Sequence, residues 1–193
     1  MLDKTQIALT LDDLMRWEAQ NPDQWIEIVN GEVAAVMAAN WLHNLIIGNL
    51  YSMFNPFVTA HHLGSVHGDG LTYILKMSGD KVETARLPDF SFVRMGQLPS
   101  IENAEQPIMG GPALAVEIIS PSQTTPDLLK RMPDYFDAGT EEFWVLYPAE
   151  KEVHRYHQKS PPRIYHLGET FTADTLFPGF VIVVADIFKQ PAR

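Results

Sequence analysis

Ala113-Leu114-Ala115-Val116-Glu117-Ile118-Ile119 is the most apolar strand-like stretch of the chain, and it carries one charge. Unbroken apolarity over this length predicts a strand buried on both faces, at the centre of a sheet. Ser120-Pro121-Ser122 marks its end. A helix is predicted from about Pro126 to Ala138, with Gly139 as its cap. Phe143–Tyr147 then reads as a second core strand, closed by Pro148. Upstream, Pro88-Asp89 opens a strand over Phe90–Val93, where a proline suits the first position.

Outward from this centre the pattern is mixed. Thr10 can cap a helix whose first turn holds Asp12 and Asp13 and which stops near Asn21-Pro22. Trp25–Val29 and Glu32–Met37 read as a hairpin around Asn30-Gly31, because both residues tolerate positive φ. Apolar residues recur at helical spacing from Ala38 to Phe54, and Pro56 is expected to end that helix. Gly64, Gly68 and Gly70 break up a stretch that leads into a strand over Leu71–Met77. Ser78-Gly79-Asp80 turns the chain, and residues 96–112 read as a surface loop. Short strands follow at Glu152–His157, Arg163–Leu167 and Phe180–Val184. The expectation is a mixed α+β or α/β fold in one domain spanning 1–193, with an N-terminal helix (10–21), a core (24–148) and C-terminal strands (152–185).

With 193 residues, 46% of them hydrophobic, the chain can bury a real core. No apolar run reaches the ~18 residues of a membrane span, and Met1–Gln6 does not read as a secretory signal, so a cytoplasmic protein without membrane partners is expected. The chain has no cysteine, which excludes disulfides, thiolate metal sites and a cysteine nucleophile. The formal net charge of −10 argues against a protein that coats nucleic acid through counterion release. It leaves room for a nuclease built on clustered carboxylates. Residues 1–70 hold only Lys4 and Arg16 as cations, so a phosphate-facing surface is expected in the remainder.

Glu117 is the outlier. A lone carboxylate in an apolar strand costs several kcal/mol to bury unless it is protonated, paired or bound to a cation. A structural ion pair or a raised-pKa acid is the plain reading. Asp89, at the start of a neighbouring core strand, supports another: two such acids repel unless a divalent cation lies between them, and oxygen-only ligands suit Mg²⁺ or Mn²⁺. Glu27, in the first strand, is a third carboxylate that can point inward. His43 sits in the apolar helix, where a hydrogen-bonded core histidine is commoner than a ligand. His61, His62 and His67 read as solvated loop histidines. Lys130 and Arg131 follow the Glu117 strand and can reach back to orient a water or phosphate, or can simply be solvated. Tyr135 and Tyr147 read as packing residues with a satisfied hydroxyl.

In chain order, Trp25–Glu32, His43, Pro88-Asp89, Val116–Ser122, Asp127, Tyr135, Gly139, Trp144 and Pro148 resemble the Uma-two type of restriction endonuclease domain, a branch of the PD-(D/E)XK nuclease superfamily. The resemblance covers about residues 10–185. It implies a central mixed sheet flanked by helices, with Asp89 and Glu117 as metal-binding acids, Glu27 completing the site and His43 beside it. The superfamily lysine two residues after the Glu is replaced here by Ile119. Similar family members supply a lysine from the next helix, four residues before the tyrosine, and that count lands on Arg131, next to Lys130. Either Lys130 or Arg131, not both, is expected at the Asp89–Glu117 pair. The implied activity is Mg²⁺-dependent (or Mn²⁺-dependent) hydrolysis of phosphodiester bonds, in DNA rather than RNA. The rival reading is a catalytically reduced nuclease fold acting as a binding or accessory module, with a homodimer as one arrangement it can take.

Overall fold

The computed structural model describes residues 9–36, 40–120 and 125–191. The expected contributions of Met37, Ala38, Pro121 and Ser122 lie outside the described residues. Thr10 caps helix α1 (Leu11–Gln20): its hydroxyl accepts from the Asp13 amide, and the Asp13 carboxylate accepts from the Thr10 amide, a reciprocal arrangement that satisfies donors every helix start leaves open. Strands β1 (Ile26–Val29) and β2 (Glu32–Ala35) pair across Asn30-Gly31, with φ of 53° and 77° at the turn.

Helix α2 (Trp41–Ala60) runs through Pro56 instead of stopping there. An interior proline costs about 3 kcal/mol. Beyond it Val58 is fully buried and Phe57 packs on Phe180; burial of such side chains contributes roughly 1.5–3 kcal/mol each, enough to offset the cost.

The glycine-broken stretch that follows is also a strand, β3 (Gly64–His67), so His67 is not a loop residue. Its Nε2 lies 2.7 Å from Ser65 Oγ. Strand β4 (Tyr73–Ser78) turns at Gly79 into β5 (Lys81–Arg86), which the sequence reading missed, and β6 (Phe90–Arg94) follows. The 96–112 segment is mostly loop but contains β7 (Ile108–Met109), paired in parallel with β4. Next come β8 (Leu114–Ile118), α3 (Thr125–Leu129) and α4 (Met132–Asp137). The single helix expected over Pro126–Ala138 is therefore two short ones. Pro133 fits the first turn of α4, where no intrahelical N–H is needed, and the break falls at Lys130-Arg131. The chain ends with β9 (Glu142–Tyr147), β10 (Glu152–His157), β11 (Ser160–Tyr165), β12 (Thr170–Thr172), β13 (Val181–Val183) and α5 (Val184–Ile187).

A six-stranded sheet has the order β11-β10-β9-β8-β6-β3, with β8 and β9 parallel and the other pairs antiparallel. A five-stranded sheet has the order β2-β1-β5-β4-β7, and β12 pairs with β13. The pleat divides the side chains of the mixed sheet. Leu114, Val116 and Ile118 of β8 pack with Ile46, Leu50, Phe54 and Val58 of α2 and with α5. Ala115, with Phe143, Val145 and Tyr147 of β9, packs on the other side with Leu128 and Tyr135 of α3 and α4 and with Tyr73 of β4. Ile26 and Ile28 of β1 pack with Leu14 of α1. The result is a mixed α/β fold with a central mixed sheet flanked by helices, and β8 inside it, buried along its whole length as its apolarity requires.

Gly64 holds β3 against β6. Its φ is +150°, and an added Cβ would lie 1.9 Å from the Val93 carbonyl oxygen. Gly64→Ala is expected to destabilise the protein by about 1–3 kcal/mol in urea denaturation. Gly48→Ala, in mid-helix with open space around the new Cβ, is expected to be stabilising by roughly 0.5–1 kcal/mol.

Candidate active site

Glu117 sits one residue from the end of β8, and only 2% of its surface is exposed. Strands β6 and β8 are antiparallel with Phe90 opposite Val116. Continuing that register by one residue sets Asp89 opposite Glu117. Asp89 is fixed there by its backbone neighbour: its Oδ2 accepts from the Ile118 amide at 2.6 Å. Asp89 Oδ1 lies 3.1 Å from His43 Nε2 in the first turn of α2. That contact is at ion-pair distance without the alignment of a hydrogen bond, so His43 Nε2 is buried with no other partner among the described residues. Burial pulls the His43 pKa down, but Asp89, with Asp69 behind it, outweighs burial and the net shift is upward.

From Glu117 a chain of alternating charges crosses to the five-stranded sheet. Arg131 Nη1 donates to Glu27 Oε1 at 2.8 Å and lies 3.4 and 3.5 Å from the two Glu117 oxygens. Arg86, the last residue of β5, donates to Glu27 Oε2 at 3.1 Å and to Asp134 Oδ2 at 2.7 Å. Tyr135 donates its hydroxyl to Glu117 Oε1 at 3.2 Å. Glu27 faces inward because Ile26 and Ile28, on the other face of β1, are spent on α1. Arg131 sits in the break between α3 and α4, immediately before Met132. Lys130, beside it, points outward: it pairs with Asp127, and 75% of its side chain is exposed.

Of the residues singled out in the sequence, the fold brings together Glu27, Glu117 and Arg131 as one hydrogen-bonded group, and Asp89 and His43 as a second group that adjoins it at the Ile118 amide. Lys130 belongs to neither. The sequence reading missed Arg86 and Asp134. Arg86 lies on the strand that went unread; Asp134 carries only the spacing Arg131–Asp134, three residues along one helix. The four expected metal-site residues do not converge as one ligand shell: among the described residues no three His, Asp or Glu side chains are grouped to hold a metal ion.

Charge is not balanced here. Glu27, Glu117 and Asp134 share two guanidinium groups, and Asp89 adds a fourth carboxylate. Glu117 consequently titrates far from the ordinary range, pushed up to about 8 by burial and further by Asp89 and Glu27, against the opposing pull of Arg131 and the Tyr135 hydroxyl. Burial alone would lower the Arg131 pKa, but Glu117 and Glu27 raise it, so it stays a cation. Glu142 of β9 is a contrast. It is fully buried too, yet its oxygens are matched by Arg155, Trp144 and Thr175.

The model of the Uma2 family, described as "Putative restriction endonuclease", matches residues 11–185. Among solved structures the chain is similar to the "Crystal structure of a putative nuclease belonging to DUF820" from Anabaena variabilis ATCC 29413, with 20% identity, coverage of 93% of this chain and 97% of that one, and a TM-score of 0.75. At that identity the likeness is one of fold. Among curated proteins, none matches.

A carboxyl raised from 4.5 to about 8 holds a proton in the folded state that the unfolded chain has released. Its contribution to stability is therefore full below the unfolded pKa and is lost as pH rises through about 8. In EDTA the Tm of the wild type is expected to fall between about pH 5 and 8, and Glu117→Gln to flatten that slope. His43 and Asp69, whose pKa values are also raised, contribute with the same sign, and His67, lowered by burial, with the opposite one. Equal slopes in the two proteins would show that Glu117 is not the group titrating.

Proposed function

The chain belongs to the Uma2 family of the PD-(D/E)XK-like nuclease superfamily, and from that premise we propose that it hydrolyses phosphodiester bonds in DNA with Mg²⁺ or Mn²⁺ held by Asp89 and Glu117. The carrying observation is the opposition of these two acids at the start of β6 and the end of β8, with the Glu117 pKa raised by burial and further by Asp89 and Glu27. Mg²⁺ is commonly held by one or two carboxylates, with water and phosphate filling the other positions, so this pair fits it. Glu27 does not fit, since each of its oxygens accepts from a guanidinium. His43, as the partner of Asp89, fits as a positioning group better than as a ligand.

A divalent ion bound by the pair would stabilise charge on the phosphate and lower the pKa of a bound water. The rest of the work falls to the chain's own side chains. Arg131 stays protonated, so it can clamp a phosphate oxygen and stabilise developing negative charge but cannot serve as a base. Glu27 and, through it, Arg86 and Asp134 hold the Arg131 guanidinium in place. Tyr135 orients the Glu117 carboxylate. His43, 3.1 Å from Asp89 Oδ1, helps aim that carboxylate.

A second reading, a nuclease fold used as a binding or accessory module, has its own support. Arg131 already lies against both Glu117 oxygens, a neutralisation that needs no metal, and Ile119 stands where the superfamily places a lysine.

Plasmid cleavage separates the two. Under the nuclease reading the wild type cleaves in Mg²⁺ or Mn²⁺ and Asp89→Ala does not. Arg131→Ala is expected to slow turnover by about 10²–10³-fold, the loss typical of one charge-stabilising donor, while Lys130→Ala leaves it unchanged. Mg²⁺ should raise the Tm of the wild type and not of Asp89→Ala, since only a cation bound to the folded state stabilises it. Wild-type cleavage no higher than that of Asp89→Ala would leave the module reading in place.

A further inference from the structure

A cavity of ≈ 410 Å³ adjoins the acid pair. Its walls include Leu42 of α2, Ile118 and Ile119 at the end of β8, and Tyr147 and Pro148 at the end of β9. It shares two elements with the acid site. His43 lines it, and His43 Nε2 is the atom 3.1 Å from Asp89 Oδ1. Ile118 also lines it, and the Ile118 amide is the donor to Asp89 Oδ2. The volume falls in the range of roughly 300–1,000 Å³ typical of small-ligand sites, and apolar walls interrupted by polar groups, here Asn40, Ser120, Thr125 and Glu150 besides His43, are the usual lining of such sites.

We infer that this cavity seats one unpaired nucleobase of the strand whose phosphate lies at Asp89 and Glu117, an inference that rests on the nuclease reading. A base is flat, with apolar faces and polar edges, and so matches a cavity of apolar walls with a few hydrogen-bonding groups. A base inside a duplex is stacked and paired and cannot enter unless it is extruded. Charge points the same way. Among the described residues no lysine or arginine lines the cavity, and the one cation against Glu117 that can meet a phosphate, Arg131, already shares its charge with two carboxylates. In a chain of net charge −10 the attraction to a phosphate backbone is weak. Affinity for the strand must come from another source; stacking of a base on an aromatic ring contributes roughly 1–3 kcal/mol, and Tyr147 supplies such a ring in the cavity wall. The preferred substrate is then a strand with unpaired nucleotides beside the scissile phosphate, not an intact duplex.

The test is equilibrium binding, read by fluorescence anisotropy, of a short labelled single strand and of the blunt duplex of the same sequence. Ca²⁺ replaces Mg²⁺, and strand integrity is checked on a gel. The single strand is expected to bind about tenfold more tightly, equivalent to about 1.4 kcal/mol. Ala149 is an exposed residue of the cavity wall. Ala149→Trp should fill the space and bring the single strand down to the duplex affinity without changing Tm, while Ala149→Ser keeps the preference. Equal affinities in the wild type, or a preference that survives Ala149→Trp, overturn the base site. Saturation-transfer NMR of the wild type with a deoxynucleoside monophosphate gives a variant-free measurement: strongest transfer at the base protons supports the site, and transfer confined to the sugar overturns it. Failure of the two readings can be told apart. Metal-dependent plasmid cleavage with no strand preference removes the base site and keeps the nuclease. A strand preference abolished by Ala149→Trp, with no cleavage in Mg²⁺ or Mn²⁺, keeps the base site and removes the nuclease.

Discussion

The carboxyl group of Glu117 is buried near the end of the protein's most apolar strand, and much of the architecture around it bears on the cost of ionising that one group. Taking a carboxylate out of water costs several kcal/mol unless partners replace the lost hydration. Here the partners come from well outside the strand. Arg131 arrives from the break between α3 and α4 and Tyr135 from α4, while Glu27 and Arg86 of the other sheet hold Arg131 in place and do not themselves compensate Glu117. The charge chain Asp134–Arg86–Glu27–Arg131–Glu117 thus ties α4, β5, β1 and β8 together across the interior. A purely structural network would be expected to close, as the one around Glu142 does. This one does not: Asp89 stands opposite Glu117 and leaves the acids in excess.

The excess separates a stabilising network from a chemical one. Buried ion pairs contribute little net stability compared with apolar packing of the same volume. A pair of opposed acids is worse, since the repulsion is present whenever both are ionised. Such arrangements concentrate at functional sites, where a ligand supplies the missing positive charge. The arginine in place of a lysine narrows what the cation can do. Under the nuclease reading it can bind and polarise, held in place by Glu27, but it cannot exchange a proton. A water attacking a phosphate would have to lose its proton to another group.

Much of this was legible residue by residue. The Thr10 cap, the Asn30-Gly31 turn, the central strand at Leu114–Ile118 and the strands at Phe143–Tyr147 and Glu152–His157 follow from local chemistry: a side-chain oxygen for an open amide, positive φ at a turn, apolarity on both faces. Glu117 stood out for the same reason, as the one charge in an apolar run. What failed also failed for physical reasons. Pro56 ends a helix by local rules, yet burial of Val58 and Phe57 carries α2 past it. Gly64 looks like a loop residue, yet it is the residue that lets β3 approach β6. Strand β5, with Lys81, Glu83, Thr84 and Arg86 among six residues, has too weak an alternation to be seen without its partners β1 and β4.

By itself, the sequence determined which groups must be neutralised: it put Glu117 in an apolar strand, Asp89 at the head of another and a pair of cations on the next helical segment, because burial and charge are properties of the residues and their near neighbours. Only the tertiary structure decided which cation answers. Lys130 and Arg131 are adjacent in the chain and similar in charge. Which of them turns inward depends on where Pro133 breaks the helix and on Glu27 waiting, 104 residues away, to accept the guanidinium. No local pattern encodes that distance, since it exists only after two sheets have packed on either side of α4.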